Sequence, residues 1–86
     1  MAKEFRFAVQ LDEPFESMTW ADSCRAVEDW GYSTLMVPDH FDEGLGPISA
    51  MAMAAAATTE LRVAQLVLDC DFRHPATIAR ELATID

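Results

Sequence analysis

The apolar positions of this chain change period along its length, and the changes mark out its elements. In "FRFAVQ", Phe5 to Gln10, Phe5, Phe7 and Val9 share one face while Arg6, Ala8 and Gln10 share the other, the two-residue period of a strand. After a polar loop the period lengthens. Trp20, Cys24 and Val27 fall on one side of a helix that Thr19 caps, with Asp22 three residues on in a variant of the capping box, and Gly31 stops it. Arg25 lies within helical reach of Asp22, Glu28 and Asp29, the composition of a solvated face. Ser33 to Val37 is a second strand, short and apolar, ended by Pro38.

The loop "DHFDEGLG" follows, and Pro47 then opens a second helix, because a proline at the first helical position lacks only an N–H that would be unpaired there. The helix runs through "ISAMAMAAAATT"; its alanines favour helix and let it approach a sheet closely, with Met51 and Met53 expected to fill core. A third strand is predicted over Leu61 to Leu68, apolar on both faces apart from Arg62 and Gln65, which suits a parallel strand covered on both sides. The loop "DCDFRH" leads to Pro75 and a third helix, "ATIARELATID".

The order is strand, helix, three times over. Strand starts near residues 5, 33 and 61 give a repeat of 28 residues, close to the ~31 per unit of an eight-stranded (β/α)8 barrel of ~250 residues. The fold class predicted is α/β, three βα units forming the amino-terminal part of a (β/α)8 TIM barrel, incomplete over residues 1–86. Three parallel strands leave two unpaired edges, which invite self-association or pairing with the remainder of a barrel. A compact three-stranded α/β domain is the alternative.

Composition narrows the classes of partner. Fifteen acidic against six basic residues give a net charge of -9, which repels nucleic acid and anionic membrane surfaces. The longest apolar stretch, Ile48 to Ala57, is interrupted only by Ser49 and is about half of the ~20 residues a membrane span needs. The amino terminus "MAKEFRFAVQ" lacks the apolar core of a signal peptide, so a cytoplasmic protein with reduced Cys24 and Cys70 is expected. At 86 residues the chain is one small domain or a piece of a larger one, marginal without a partner.

In parallel α/β folds the functional face lies at the carboxyl ends of the strands. Gln10 and Asp12 follow strand one, Asp39 and His40 follow strand two, and Asp69, Asp71, Arg73 and His74 follow strand three, so all are expected on one rim. Asp39-His40, directly after a buried strand, is the candidate acid and base pair, although Asp and His after a proline are also ordinary turn residues. Arg73 has two readings, an anion holder at a helix end or a structural partner of Asp69, Asp71 or a neighbouring loop. His74, before Pro75, reads as a helix cap. No HxH, HExxH or paired CxxC spacing supports a metal site, and no G-x-G-x-x-G or P-loop supports a nucleotide-binding Rossmann domain.

The segments "FRFAVQ", "AVEDWGYSTLMVPDHF" and "GPISAMAMAAAATTELRVAQLVLDCDFRHPATIARELATID" resemble the opening of the bacterial luciferase-like oxidoreductases, which use FMN or the deazaflavin coenzyme F420. The most specific parts are the apolar strand running into "PDHF" and the segment ending "ATID", where the family has a similar "ATLD". The resemblance implies hydride transfer or monooxygenation of a small organic substrate. It implies that His40, with Asp39 beside it, lies at the flavin face near the reacting carbon. There an imidazole of unperturbed pKa ~6.5 exchanges protons near neutrality, and Asp39 orients it or raises its basicity. It also implies a bulge with a non-proline cis peptide behind the cofactor ring near Leu66-Val67, and cofactor contacts from Gln10, Leu66, Val67 and Asp69. The Asp-His pair favours F420, whose acidic tail needs a basic region elsewhere to offset a charge of -9. A different class of function stays open: a non-catalytic fragment or assembly module that pairs through its strand edges.

Overall fold

A computed structural model of the chain describes residues 4–86. Its elements are β1 (Ala8–Gln10), α1 (Trp20–Asp29), β2 (Thr34–Val37), α2 (Pro47–Ala57), β3 (Arg62–Gln65) and α3 (Pro75–Ile85), with one 3-10 turn over Cys70–Phe72. The three strands form a parallel sheet in the order β1-β2-β3. Three βα units laid side by side in chain order are the α/β architecture predicted, that of the amino-terminal part of a (β/α)8 barrel.

The strands are shorter than their apolar runs, and β2 is the cause. Ala8 pairs with Thr34, the first residue of β2, so Phe5 and Phe7 extend beyond the ladder and are exposed instead of sharing a buried face with Val9. At the other end Val37 pairs with Gln65 and the next residue is Pro38, which has no N–H to offer and ends the ladder. The Leu66 N–H still reaches the Val37 carbonyl at 3.2 Å, but Leu66 to Leu68 leave the strand predicted for them. The Leu66-Val67 peptide bond is cis, at the place the resemblance indicated.

The helix boundaries follow their caps. The Thr19 hydroxyl accepts from the Asp22 N–H at 3.0 Å and opens α1, while Gly31, at φ +94°, takes the left-handed turn that lets the chain leave it. Gly46 precedes Pro47 at the start of α2. In α3 the imidazole Nδ1 of His74 accepts from the Ala76 N–H at 3.1 Å, the capping role expected of it. The core lies between the two faces of the first two units: Trp20, Cys24 and Val27 from α1, Leu35 and Val37 from β2, Ala50, Met51 and Ala54 from α2, with Leu61 ahead of β3. Each large apolar side chain buried there contributes roughly 1.5–3 kcal/mol. Met53 is not part of it. Residues 51 and 53 stand about 200° apart around a helix of 3.6 residues per turn, so Met51 is buried and Met53 is exposed.

Polar groups inside this core are paired. The buried Trp20 indole N–H donates to the Ala50 carbonyl at 2.9 Å, tying α1 to α2, and the Ser23 hydroxyl accepts from the Phe15 N–H while donating to the Thr19 carbonyl. Glu28 does more than solvate a helix face. Its carboxylate accepts the N–H groups of Thr59, Glu60 and Leu61, the last two at 2.7 Å, and so fixes the turn that starts β3. Those N–H donors, Glu60's above all, hold its carboxyl below the usual range. Arg25 pairs with Asp22 at 3.0 Å, as expected of an exposed face, and also donates to the Ala57 carbonyl at the end of α2.

Candidate functional site

The carboxyl ends of β2 and β3 carry the candidate chemistry. β2 delivers Leu35 and Val37 to the core and then turns at Pro38, which places Asp39 at the boundary of the interior and His40 just outside it. β3 delivers Gln65 and continues through Leu66, Val67 and Leu68 to Asp69. Between these two ends lies a cleft of about 460 Å³ lined by Asp39, His40, Leu66, Val67, Leu68, Asp69 and Cys70. Of the residues expected on one rim, Asp39, His40 and Asp69 line this cleft, beside Leu66 and Val67, which the resemblance implied as cofactor contacts; Asp12, Asp71, Arg73 and His74 are outside its lining. Gln10 sits at the end of β1 opposite Met36, exposed and outside this lining.

Asp39 is the best-anchored group of the cleft, with its side chain only 2% exposed. One carboxylate oxygen accepts from Arg73 at 2.5 Å and from the Asp69 N–H at 2.9 Å, and the other accepts from the second Arg73 nitrogen at 3.3 Å. A two-armed guanidinium contact to a buried carboxylate is the strong form of an ion pair. Arg73 and, less so, the Asp69 N–H hold the Asp39 carboxyl below the ordinary range despite its burial. Here the geometry departs from the sequence reading. Asp39 was expected to orient or activate His40, and its carboxylate is instead engaged by Arg73 and the backbone, with no hydrogen bond to the imidazole. Arg73 takes the structural alternative rather than the anion-binding one, in its neighbouring-loop form: its partner is Asp39 of the loop after β2.

The loop after β3 is fixed from several directions. The Asp69 carboxylate accepts from the Asp71 N–H at 2.9 Å, and His74 caps α3. The Phe72 ring lies against Phe41 from the β2 loop, centroids 4.2 Å apart and planes at 43°. On the other flank Gly44, at φ +79°, lets the β2–α2 loop approach the Asp12 backbone; a Cβ there would meet the Asp12 carbonyl oxygen at 2.9 Å. The adjacent Leu45 N–H donates to that same carbonyl.

The sequence reading allowed Arg73 a partner in a neighbouring loop without singling out Asp39, 34 residues away, and it missed the contact of Phe41 with Phe72. The signal for the first was an arginine on a rim rich in aspartates, which identifies a cation needing a carboxylate without saying which. The phenylalanines carried no signal beyond being apolar residues in polar loops.

Leu66 to Leu68 give the cleft an apolar side, and His40 and Asp69 give it polar atoms. Cys70, at the mouth, is exposed and free, and Cys24 is free and buried in the core, where burial pushes its thiol up to about 11. Among the described residues no helix is long and apolar enough to cross a membrane. Comparison with known families places the chain: a family model described as luciferase-like monooxygenase matches residues 10–86. A search of curated proteins finds no match.

Proposed function

The chain belongs to the luciferase-like monooxygenase family, and from that premise we propose that it forms one wall of a flavin or deazaflavin site in an oxidoreductase acting on a small organic substrate. The observation that carries this reading is the cleft joining His40 to the Leu66-Val67 segment at the carboxyl ends of adjacent parallel strands. Leu66, Val67 and Leu68 offer the apolar face on which a planar ring can lie. The bound FMN or F420 supplies the hydride chemistry. His40 gives or takes the accompanying proton, a task suited to an imidazole at neutral pH. Asp39, neutralised by Arg73, builds the wall behind it, and Asp69 offers acceptors to ring N–H groups.

F420 is favoured over FMN because of the histidine directly after Asp39. Titration of the isotopically labelled chain with F420, and separately with FMN, tests the reading by amide shifts. The expected result is perturbation confined to His40 and Leu66 through Cys70, larger with F420. Shifts scattered over the surface, or none at millimolar cofactor, would remove the cleft from consideration.

A second reading rests on a different observation. β1 and β3 are both edge strands, and beside β3 runs a groove of about 830 Å³ between α2 and α3, lined by Met51, Leu61, Val63, Leu82 and Ile85 among others. The Gln65 side-chain nitrogen is buried there without a hydrogen-bond partner. An added parallel strand would satisfy both, making the chain an assembly module that takes up further βα units. Light scattering separates the outcomes, since a stable, cooperative monomer contradicts this reading.

A further inference from the structure

Asp39 and His40 are neighbours in the chain, and a carboxylate beside an imidazole normally becomes its partner. Here the carboxylate is turned to the other side of the rim by three hydrogen bonds, two from Arg73 and one from the Asp69 N–H. Arg73 itself does not line the cleft. It stands behind the wall, 22% exposed, and reaches the cleft only through Asp39.

We propose that Arg73 is a positioning residue that sequesters the Asp39 carboxylate from His40, leaving the imidazole to respond to whatever occupies the cleft. The proposal deepens the acid-base role assigned to His40 above and rests on that reading for its functional meaning, though its geometry stands without any cofactor.

The charges around His40 define what removal of Arg73 does. On its own loop stand Asp39, Asp42 and Glu43, and across the cleft stand Asp69, Cys70 and, behind Asp39, Arg73. All the fixed charges except Arg73 are negative. Asp69 already accepts from the Asp71 N–H, and Asp42 and Glu43 lie on an exposed part of the loop. Asp39 is thus the carboxylate whose availability to His40 changes when Arg73 is removed. An unpaired, buried Asp39 has a cation within one residue that can relieve it, and the price of that relief is a His40 that holds its proton more tightly.

The test is an NMR titration of the imidazole resonances in the chain itself, with His74 as internal control. In Arg73→Met the His40 curve should move to higher pH, while His74 stays in place. Arg73→Lys, which keeps the charge, should stay near the wild-type curve. Arg73→Met with Asp39→Asn should return to it, because the carboxylate has been removed. Should Arg73→Met fail to fold, Arg73→Gln keeps a donor for Asp39 without the charge, and an upward move of His40 is expected there too. A His40 curve unmoved in a folded Arg73→Met or Arg73→Gln protein, or a shift that persists in the double variant, overturns the proposal. A purely structural clamp predicts lost stability with no such pattern. Failure of the cofactor titration would count against the proposed function and leave this result unaffected.

Discussion

The first two βα units bury their side chains, whereas the third leaves most of its apolar surface uncovered. Trp20, Cys24, Val27, Leu35, Val37, Ala50, Met51 and Ala54 all lie in α1, β2 and α2, and α3 contributes no buried residue. The contrast follows from position in the sheet. β2 has a strand on each side and packs against α1 and α2, while β3 has an open edge and α3 rests on α2, with Leu82 and Ile85 only partly buried against the core. The cleft lies on the seam between these regions, with Asp39 anchored on the firm side and Leu66 to Cys70 on the open one.

That contrast is broken most severely by emptying the firm side. Leu35→Ala removes a fully buried side chain from the central strand and should cost about 3 kcal/mol in a urea titration. Ile78→Ala in α3, where the side chain is only half-buried, should cost under about 1 kcal/mol. Equal losses would mean that the two regions share one core.

The seam itself should show an intermediate effect. Arg73→Met leaves the Asp39 carboxylate buried without its partner, a change worth roughly 3–5 kcal/mol when both groups are buried. Arg73 keeps part of its surface in water, so a loss of about 2 kcal/mol is expected after screening. Hydrogen exchange should then rise in the segment from Leu66 through α3 and remain unchanged in β2. Uniform acceleration would show that the ion pair stabilises the whole fold instead of the seam.

Acid should open the same seam more gently. The folded-state pKa values of Asp39 and Glu28 are both lowered, by Arg73 and by backbone N–H donors led by Glu60 respectively. Each therefore contributes stability that is complete above its unfolded value near ~4 and fades as pH falls through the lowered folded value. Urea midpoints should be flat from neutrality to about pH 5 and decline below ~4, and Asp39→Asn should make that decline shallower. A decline already present at pH 6 would point to other groups.

The smallest perturbation is chemical labelling. Cys70, exposed at the cleft, should react promptly with a thiol reagent at pH 8, and Cys24, fully buried with its thiol pushed up to about 11, should react only through opening of the core. Comparable rates at the two thiols would deny that the first two units are the tighter region.

The features legible in the sequence were those set by neighbours along the chain. The period of Trp20, Cys24 and Val27, the Thr19 cap, the prolines opening α2 and α3 and the 28-residue spacing of the strands all depend on local geometry, and the parallel sheet followed from them. Lengths of β1 and β3 were not legible, because each depends on where β2 stops, a property of the partner strand. The same limit applied at the rim. That Asp39, His40 and Asp69 share a rim could be read from the strand order, with Leu66 and Val67 added by the resemblance, but the direction in which the Asp39 carboxylate turns was decided by Arg73, 34 residues away. Glu28 illustrates it again: a carboxylate on an exposed helix turn holds the start of β3 only because that turn lies in its reach.

The role proposed for His40 is tested most directly by single-turnover hydride transfer under saturating F420, comparing the wild-type protein with His40→Ala. Loss of at least about 100-fold in rate, with cofactor affinity changed by less than about threefold, is the expected result. Full turnover in His40→Ala would contradict it and leave the histidine as a turn residue at the end of β2.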